Sequence, residues 1–170
     1  IFVVDGGATG FGIESTIVDA TRDPLVILRR GSVTRPEIAR FATVVDEGDL
    51  VETEGAVLRA PGTASRHYAP RVPLVMATRD DLVAVARDGA ARLGTPISEV
   101  GLLVFAPAPR GLDVGARTIL APRDPRAYAA ALYAALHRLE DVGAVMIVVE
   151  AVPETEPWAA IRDRLTRAAR

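Results

Sequence analysis

Apolar and polar positions change their spacing along this chain, and the changes divide it. From Val72 to Ala77, Val100 to Ala106 and Ala144 to Glu150 the chain runs almost continuously apolar, "VPLVMA", "VGLLVFA" and "AVMIVVE". Short apolar runs bounded by turn residues read as strands buried on both faces. Between them, Asp80–Leu93 and Asp124–Asp141 place apolar residues at helical spacing, and Trp158–Arg170 forms a closing helix. Asp124 followed by Pro125 is an N-terminal signature, a side-chain acceptor before a residue that needs no hydrogen-bond donor. Leu132, Leu136 and Leu139, with Tyr128 and Tyr133, read as core packing. "RTILA" adds a short strand. Strand and helix in alternation predict a parallel sheet covered by helices over 71–170.

The first 45 residues differ. Ile1–Asp5 reads as a buried strand already under way, "GGATGFG" as a glycine-rich loop, "ESTIVDA" and "LVILRRG" as two further strands. "TRPEIARF" opens a short helix, with Thr34 as N-cap and Glu37 three residues later. Strands joined by tight turns predict a mixed or antiparallel sheet. Between the two units, "DEGDLVETEG" is acidic and "APGTASRHYAP" rich in proline and small residues, so 46–70 reads as an interdomain linker. A buried strand already under way at the start is expected of the C-terminal part of a longer protein.

Composition narrows the chemistry. Apolar residues make up 49% and charged residues 25% of the 170, the balance of a soluble globular protein, with no apolar run of membrane-spanning length and no signal-peptide pattern. A net charge of -2 argues against direct nucleic-acid binding. All 20 basic residues are arginine, so neither a P-loop lysine nor a Schiff-base lysine exists in the chain. There is no cysteine, which excludes disulfides and thiolate chemistry and fits a cytoplasmic protein.

Four stretches carry candidate chemistry. "DGGATGFG" departs from the dinucleotide fingerprint, and glycines of this kind make a turn more often than a ligand loop. "GIESTIVD" offers Glu14, Ser15, Thr16 and Asp19; adjacent hydroxyls at a strand start can take the polar end of an amino acid, although Ser and Thr in a strand commonly just face solvent. "ILRRG" puts Arg29 and Arg30 at a strand end, where a planar guanidinium can clamp phosphate, and alternation lets only one of them face a cleft. "SRHYAP" sets Arg66, His67 and Tyr68 in a row, an arrangement suited to anions and rings or to docking the linker on its own domain. His67 lacks metal-ligand spacing, and no nucleophile-elbow motif supports a hydrolase triad. The arginine-rich "AIRDRLTRAAR" reads as a solvated face that complements its helix dipole.

Taken in order, "DGG…GIESTIVD", "ILRRGSVT" and "APG…RHYAP", with the closing "AIRDRL…RAA", resemble the two-domain threonylcarbamoyl-adenylate synthases. The resemblance covers the whole chain and implies an α/β fold: part of a YrdC-like mixed sheet over 1–45, a linker or lid over 46–70, and a small Rossmann-like parallel sheet over 71–170. It implies the condensation of ATP, L-threonine and bicarbonate into threonylcarbamoyl-AMP and pyrophosphate, with Mg²⁺. The product would pass to a tRNA-modifying transferase complex that makes threonylcarbamoyladenosine. By the same resemblance Ser15 and Thr16 would meet threonine, and Arg29, His67 and Tyr68 the nucleotide. The family's lysine-containing ATP cluster belongs to a part of the YrdC-like domain outside these residues, so the 170 residues alone are expected to be inactive. The competing expectation is a non-catalytic Rossmann-like module that binds a nucleotide or a partner.

Overall fold

Two sheets organise the chain in the computed structural model, which describes residues 2–7, 9–49, 69–110, 112 and 117–169. The smaller sheet has the order β1-β2-β3, with β1 at Ile17–Asp19, β2 at Leu25–Arg29 and β3 at Val44–Asp46. β1 runs antiparallel to β2, pairing Ile17 with Arg29 and Val18 with Ile27, so Leu28 is the extra residue of a bulge. β3 runs parallel to β2, with Leu25 opposite Val44 and Ile27 opposite Asp46. The sheet is therefore mixed, as expected, although the strand at Val44 went unread in the sequence. The connection to β3 contains α1 (Arg35–Ala39), whose start is a capping box. The Glu37 carboxylate accepts the Thr34 N–H and the Thr34 hydroxyl, each at 2.7 Å. Those two bonds, backbone first, hold the Glu37 carboxyl below its ordinary range.

The expected strand at Ile1–Asp5 is a correction. Phe2, Val3 and Val4 are fully exposed and Phe2–Asp5 have no regular structure. No strand lies beside them among the described residues, so an apolar run finds neither a ladder to complete nor a face to bury.

The second sheet holds β4 (Leu74–Ala77), β5 (Val100–Val104), β6 (Thr118–Leu120) and β7 (Met146–Glu150). Its order is β4-β7-β5-β6 and every pairing is parallel. α2 (Leu82–Leu93) covers one face, setting Leu82, Ala86 and Ala90 against Val100, Leu102, Val104 and Val148. α3 (Pro125–Asp141) and α4 (Ala159–Ala168) cover the other, over Leu74, Leu103, Ile147 and Val149. This two-sided cover is why β5 and β7 read as unbroken apolar runs: every residue of both is buried. Each such aliphatic side chain contributes roughly 1.5–3 kcal/mol relative to exposure. α3 starts where the sequence placed it, with Asp124 Oδ1 accepting the Ala127 N–H at 2.8 Å and Pro125 in the first turn. α2 ends on Gly94, whose φ of 66° is the left-handed conformation glycine adopts freely.

Trp158 closes the α3/α4 face. Its indole meets Phe105 edge-on at 5.6 Å and Tyr128 at 5.3 Å, and Tyr128 and Phe105 lie 5.5 Å apart. Burial, followed by the Glu150 charge, pushes the Tyr128 phenol above its ordinary pKa. Among the described residues, no helix is long and apolar enough to cross a membrane.

Candidate functional site

The glycine-rich loop settles first, because it places everything after it. Gly12 sits at φ 67° against α3: a Cβ there would run into Ala130 Cα and the Ala129 carbonyl. This glycine exists for a close backbone approach to a helix. Thr9 Oγ1 accepts the Gly12 N–H at 3.1 Å within the loop, and Arg126 of α3 lies 4.6 Å over the Phe11 ring, so the loop meets α3 through Gly12 and through its aromatic.

From that anchor the chain passes through Glu14, Ser15 and Thr16 into β1. The bulge between β1 and β2 brings Arg29 back over this segment. Arg29 Nε donates to the Ser15 carbonyl at 3.0 Å and Nη2 to Ser15 Oγ at 3.3 Å. Two residues picked out separately in the sequence thus share one site. Ser15 is exposed and Arg29 partly buried, so the pair lies at the surface. Gly31 makes this geometry feasible. A Cβ on it would collide with Thr16 N, Ser15 C and the Glu14 carbonyl, all backbone atoms. Strand alternation separates the two arginines, as expected. Arg30 turns away, to Asp46 at 2.5 Å and Glu156 at 3.2 Å, where Arg35 joins it on Asp46 at 3.1 Å.

Thr16 has an internal use. Its hydroxyl donates to the Val33 carbonyl at 2.7 Å and accepts the Val33 N–H at 3.1 Å, stitching the segment to the loop after β2. Asp19 likewise holds its own turn, accepting from the Thr21 N–H at 3.0 Å and from the Thr21 hydroxyl. Those bonds, with Arg22 beyond them, keep its carboxyl below the ordinary range. His67 and Tyr68 lie outside the described residues.

Behind the segment stands a network the sequence reading missed. Arg164 of α4 is 6% exposed, which corrects the expectation of a solvated arginine face. Its Nε donates to Glu14 Oε2 at 2.7 Å, Nη1 to Asp163 at 2.6 Å and Nη2 to the Arg30 carbonyl at 3.0 Å. The Tyr133 hydroxyl sits 3.3 Å from Glu14 Oε1. Burial by itself would raise the Glu14 pKa, but the Arg164 hydrogen bond and charge, with smaller help from Tyr133, bring it below its ordinary 4.5. The Tyr133 phenol is pushed up to about 12 by burial and by the Glu14 charge. Helical spacing held the signal: Ile161, Arg164, Leu165 and Ala168 follow the i, i+3, i+4, i+7 pattern of a buried stripe. An arginine at a stripe position must bring a partner with it.

Two other locations were weighed. A cleft of about 430 Å³ runs between the small sheet and the second domain, with Phe11, Ser32 and Thr34 on one side and Arg126, Pro157 and Ala160 on the other. It is mostly apolar, and it meets the Ser15–Arg29 pair only through Gly31. The C-terminal edge of the parallel sheet, where open α/β sheets commonly bind ligands, is closed by its own bonds. Glu150 accepts the Phe105 N–H at 2.9 Å, and Arg79 caps the Pro107 carbonyl at 2.6 Å. Among the described residues, no three His, Asp or Glu side chains gather into a metal site.

Residues 33–170 match the family model described as "Threonylcarbamoyl-AMP synthase, C-terminal domain". The chain belongs to this family. It is 32% identical over 174 residues to the threonylcarbamoyl-AMP synthase of Bacillus subtilis (strain 168), covering 98% of this chain and 48% of that protein. To the Pyrococcus abyssi (strain GE5 / Orsay) synthase it is 29% identical over 170 residues, again covering 48% of the relative. The crystal structure of P. abyssi Sua5 complexed with L-threonine superposes with a TM-score of 0.73 at 25% identity, over 97% of this chain and 48% of that one. A variant of the same protein with a His and a Tyr replaced by Ala gives 0.65 at 24% identity and bears on the fold alone. The chain spans about half the length of the curated relatives it matches. The resemblance carried by the quoted motifs holds, and so does the α/β fold it implied.

Proposed function

We propose that the protein carrying this chain is a nucleotidyltransferase that makes threonylcarbamoyl-AMP from ATP, L-threonine and bicarbonate. The observation that carries this reading is the Ser15–Arg29 contact, an exposed hydroxyl under a guanidinium fork, inside a chain of this family. In this reading Ser15 receives the polar end of threonine, while Arg29 binds the nucleotide's phosphates, a role for which its fixed charge and fork suit it. Thr16, with its hydroxyl bonded to Val33 in both directions, keeps the threonine-side segment in shape. His67 and Tyr68, outside the described residues, would meet the nucleotide by the same resemblance, where an aromatic and a charge would keep water from the adenylate.

The chemistry balances in two steps. The threonine amine attacks bicarbonate, giving the carbamate and water. A carbamate oxygen then attacks the α-phosphorus of ATP, forming the mixed anhydride as the α–β bridging bond breaks and pyrophosphate leaves. Arg29 stabilises the negative charge that builds at the phosphate. Mg²⁺ is expected to accompany ATP, but the described residues do not fit a site for it: no three His, Asp or Glu side chains among them gather into a metal site, and Glu14 is held by Arg164 and Tyr133. No step is drawn through the ion. The product goes to a tRNA-modifying transferase complex in the cytoplasm, while the chain itself binds no nucleic acid. The 170 residues alone, half the length of the relatives, turn over little or nothing.

The test is pyrophosphate release from ATP by the natural protein that carries this chain, with threonine and bicarbonate present together or singly omitted. Release that needs both, and falls on Arg29→Ala, is the expected result. Release independent of threonine, or none from well-folded protein, overturns the reading. A non-catalytic nucleotide-binding module has less behind it, because Arg79 and Glu150 occupy the sheet edge such a module would use.

A further inference from the structure

Among the described residues, one guanidinium of the last helix bonds to both chain segments that carry the candidate site. Arg164 projects from α4, the last helix of the second domain, and is buried. Its partners in the first unit are two residues with notable neighbours. Glu14, which accepts Nε at 2.7 Å, immediately precedes Ser15. Arg30, whose carbonyl accepts Nη2 at 3.0 Å, immediately follows Arg29. One planar fork therefore grips both chain segments beside the two side chains that face each other in the site. Tyr133 of α3 adds a donor to Glu14 at 3.3 Å, and Asp163 fixes the guanidinium from behind at 2.6 Å. Gly31 packs on the backbone of the held segment and leaves it no slack.

We infer that Arg164 is a positioning residue: through Glu14 and the Arg30 carbonyl it sets the distance between Ser15 and Arg29, so the C-terminal domain is a working part of the synthase site. The inference rests on the functional reading above. Removing the fork leaves the partly buried Glu14 beside Tyr133 without its cation, and the segment before Ser15 free to shift. A displacement near 1 Å at a reacting geometry costs on the order of 100-fold. Because Arg164 bonds to the residues next to Ser15 and Arg29, the loss should appear in how substrate is held.

The experiment uses the natural protein that carries this chain. Arg164→Gln, Arg164→Lys and Glu14→Ala are compared with Leu102→Ala, a destabilising control on the α2 face of the sheet. Threonine and ATP KM, kcat and melting temperature are measured for each. The expected result is a threonine KM raised at least about tenfold in Arg164→Gln, with partial rescue by Arg164→Lys, which keeps the charge and loses the fork. Glu14→Ala and the Arg164→Gln/Glu14→Ala pair should be non-additive, and Leu102→Ala should lower the melting temperature with KM unchanged. A melting temperature lowered in Arg164→Gln as in the control, with KM values of wild type, makes Arg164 merely structural and overturns the inference. Where Arg164→Gln fails to fold, Arg164→Lys carries the same decision: wild-type KM values in that variant overturn it. Failure of the functional reading shows separately, in the wild-type protein, as release that ignores threonine.

Discussion

Replacing Gly31 by alanine adds one methyl group and tests fold and site together. The conformation at Gly31 does not demand glycine; the space does. An added Cβ would sit 2.5 Å from the Glu14 carbonyl oxygen and closer still to Thr16 N and Ser15 C. Ordinary contacts of this kind lie near 3.3–3.6 Å, so the 14–16 segment and the β2 end must separate by about 1 Å. No flexible side chain can absorb the shift, because all three atoms are backbone. Overpacking of this sort costs about 1–3 kcal/mol, which for a chain of this size lowers the melting temperature by roughly 2–12 °C. The same movement stretches the 3.0 Å and 3.3 Å bonds from Arg29 to Ser15 past hydrogen-bonding range. Threonine affinity should therefore fall by one to two orders of magnitude, on the order of the 100-fold cost of a 1 Å misplacement. Differential scanning calorimetry gives the first number and threonine titration of the natural protein the second. Gly48→Ala is the matched control, since nothing lies within 4 Å of its added Cβ. A Gly31→Ala protein with wild-type melting temperature and threonine affinity would refute the packing argument outright.

Other consequences follow from the same contacts. Glu14 titrates below its ordinary value in the folded state, so the unfolded chain binds the extra proton as pH falls. Its stabilising contribution is present above the ordinary 4.5 and is lost as pH drops through the lower folded value; the melting-temperature gap between wild type and Glu14→Gln should narrow as pH falls below 4.5, and a gap that stays constant there refutes the assignment. Tyr133 is raised to about 12 and Tyr128 is raised as well, so absorbance near 295 nm should show neither phenol ionising at pH 10.5 until the protein unfolds; Tyr133→Phe should remove one late step. Trp158→Ala empties a buried ring position and removes two edge-on aromatic contacts, a loss of about 3–5 kcal/mol. That is a large part of a typical domain's stability, and urea melts followed by circular dichroism should show it; a shift under 1 kcal/mol would place Trp158 outside the cooperative core.

What could be read from the sequence follows a physical line. β5, β7 and α3 were legible because their burial is complete and periodic: an apolar run covered on both sides, or a helix with Asp124 and Pro125 at its start, announces itself without its neighbours. Phe2–Asp5 carried the same signal and formed no strand, since a strand is a property of a pair and sequence pattern sees one member. Val44–Asp46 shows the converse, three residues too short to register that become a strand because β2 offers them a parallel edge. At the site, Ser15 and Arg29 could each be picked out by residue type, but their contact depends on the Leu28 bulge and on the space at Gly31, which motifs do not encode. Arg164 is the most instructive case. It looked like one more arginine in a basic helix, yet its place in the stripe of Ile161, Leu165 and Ala168 required it to be buried, and a buried guanidinium needs acceptors. Those acceptors proved to be Glu14 and the carbonyl of Arg30, on either side of the two residues that form the candidate site. The burial of one charged side chain thus connects the last helix to the segments that carry Ser15 and Arg29, and neither part can be understood from its own motifs: Arg164 needs the acceptors that Glu14 and the Arg30 carbonyl supply.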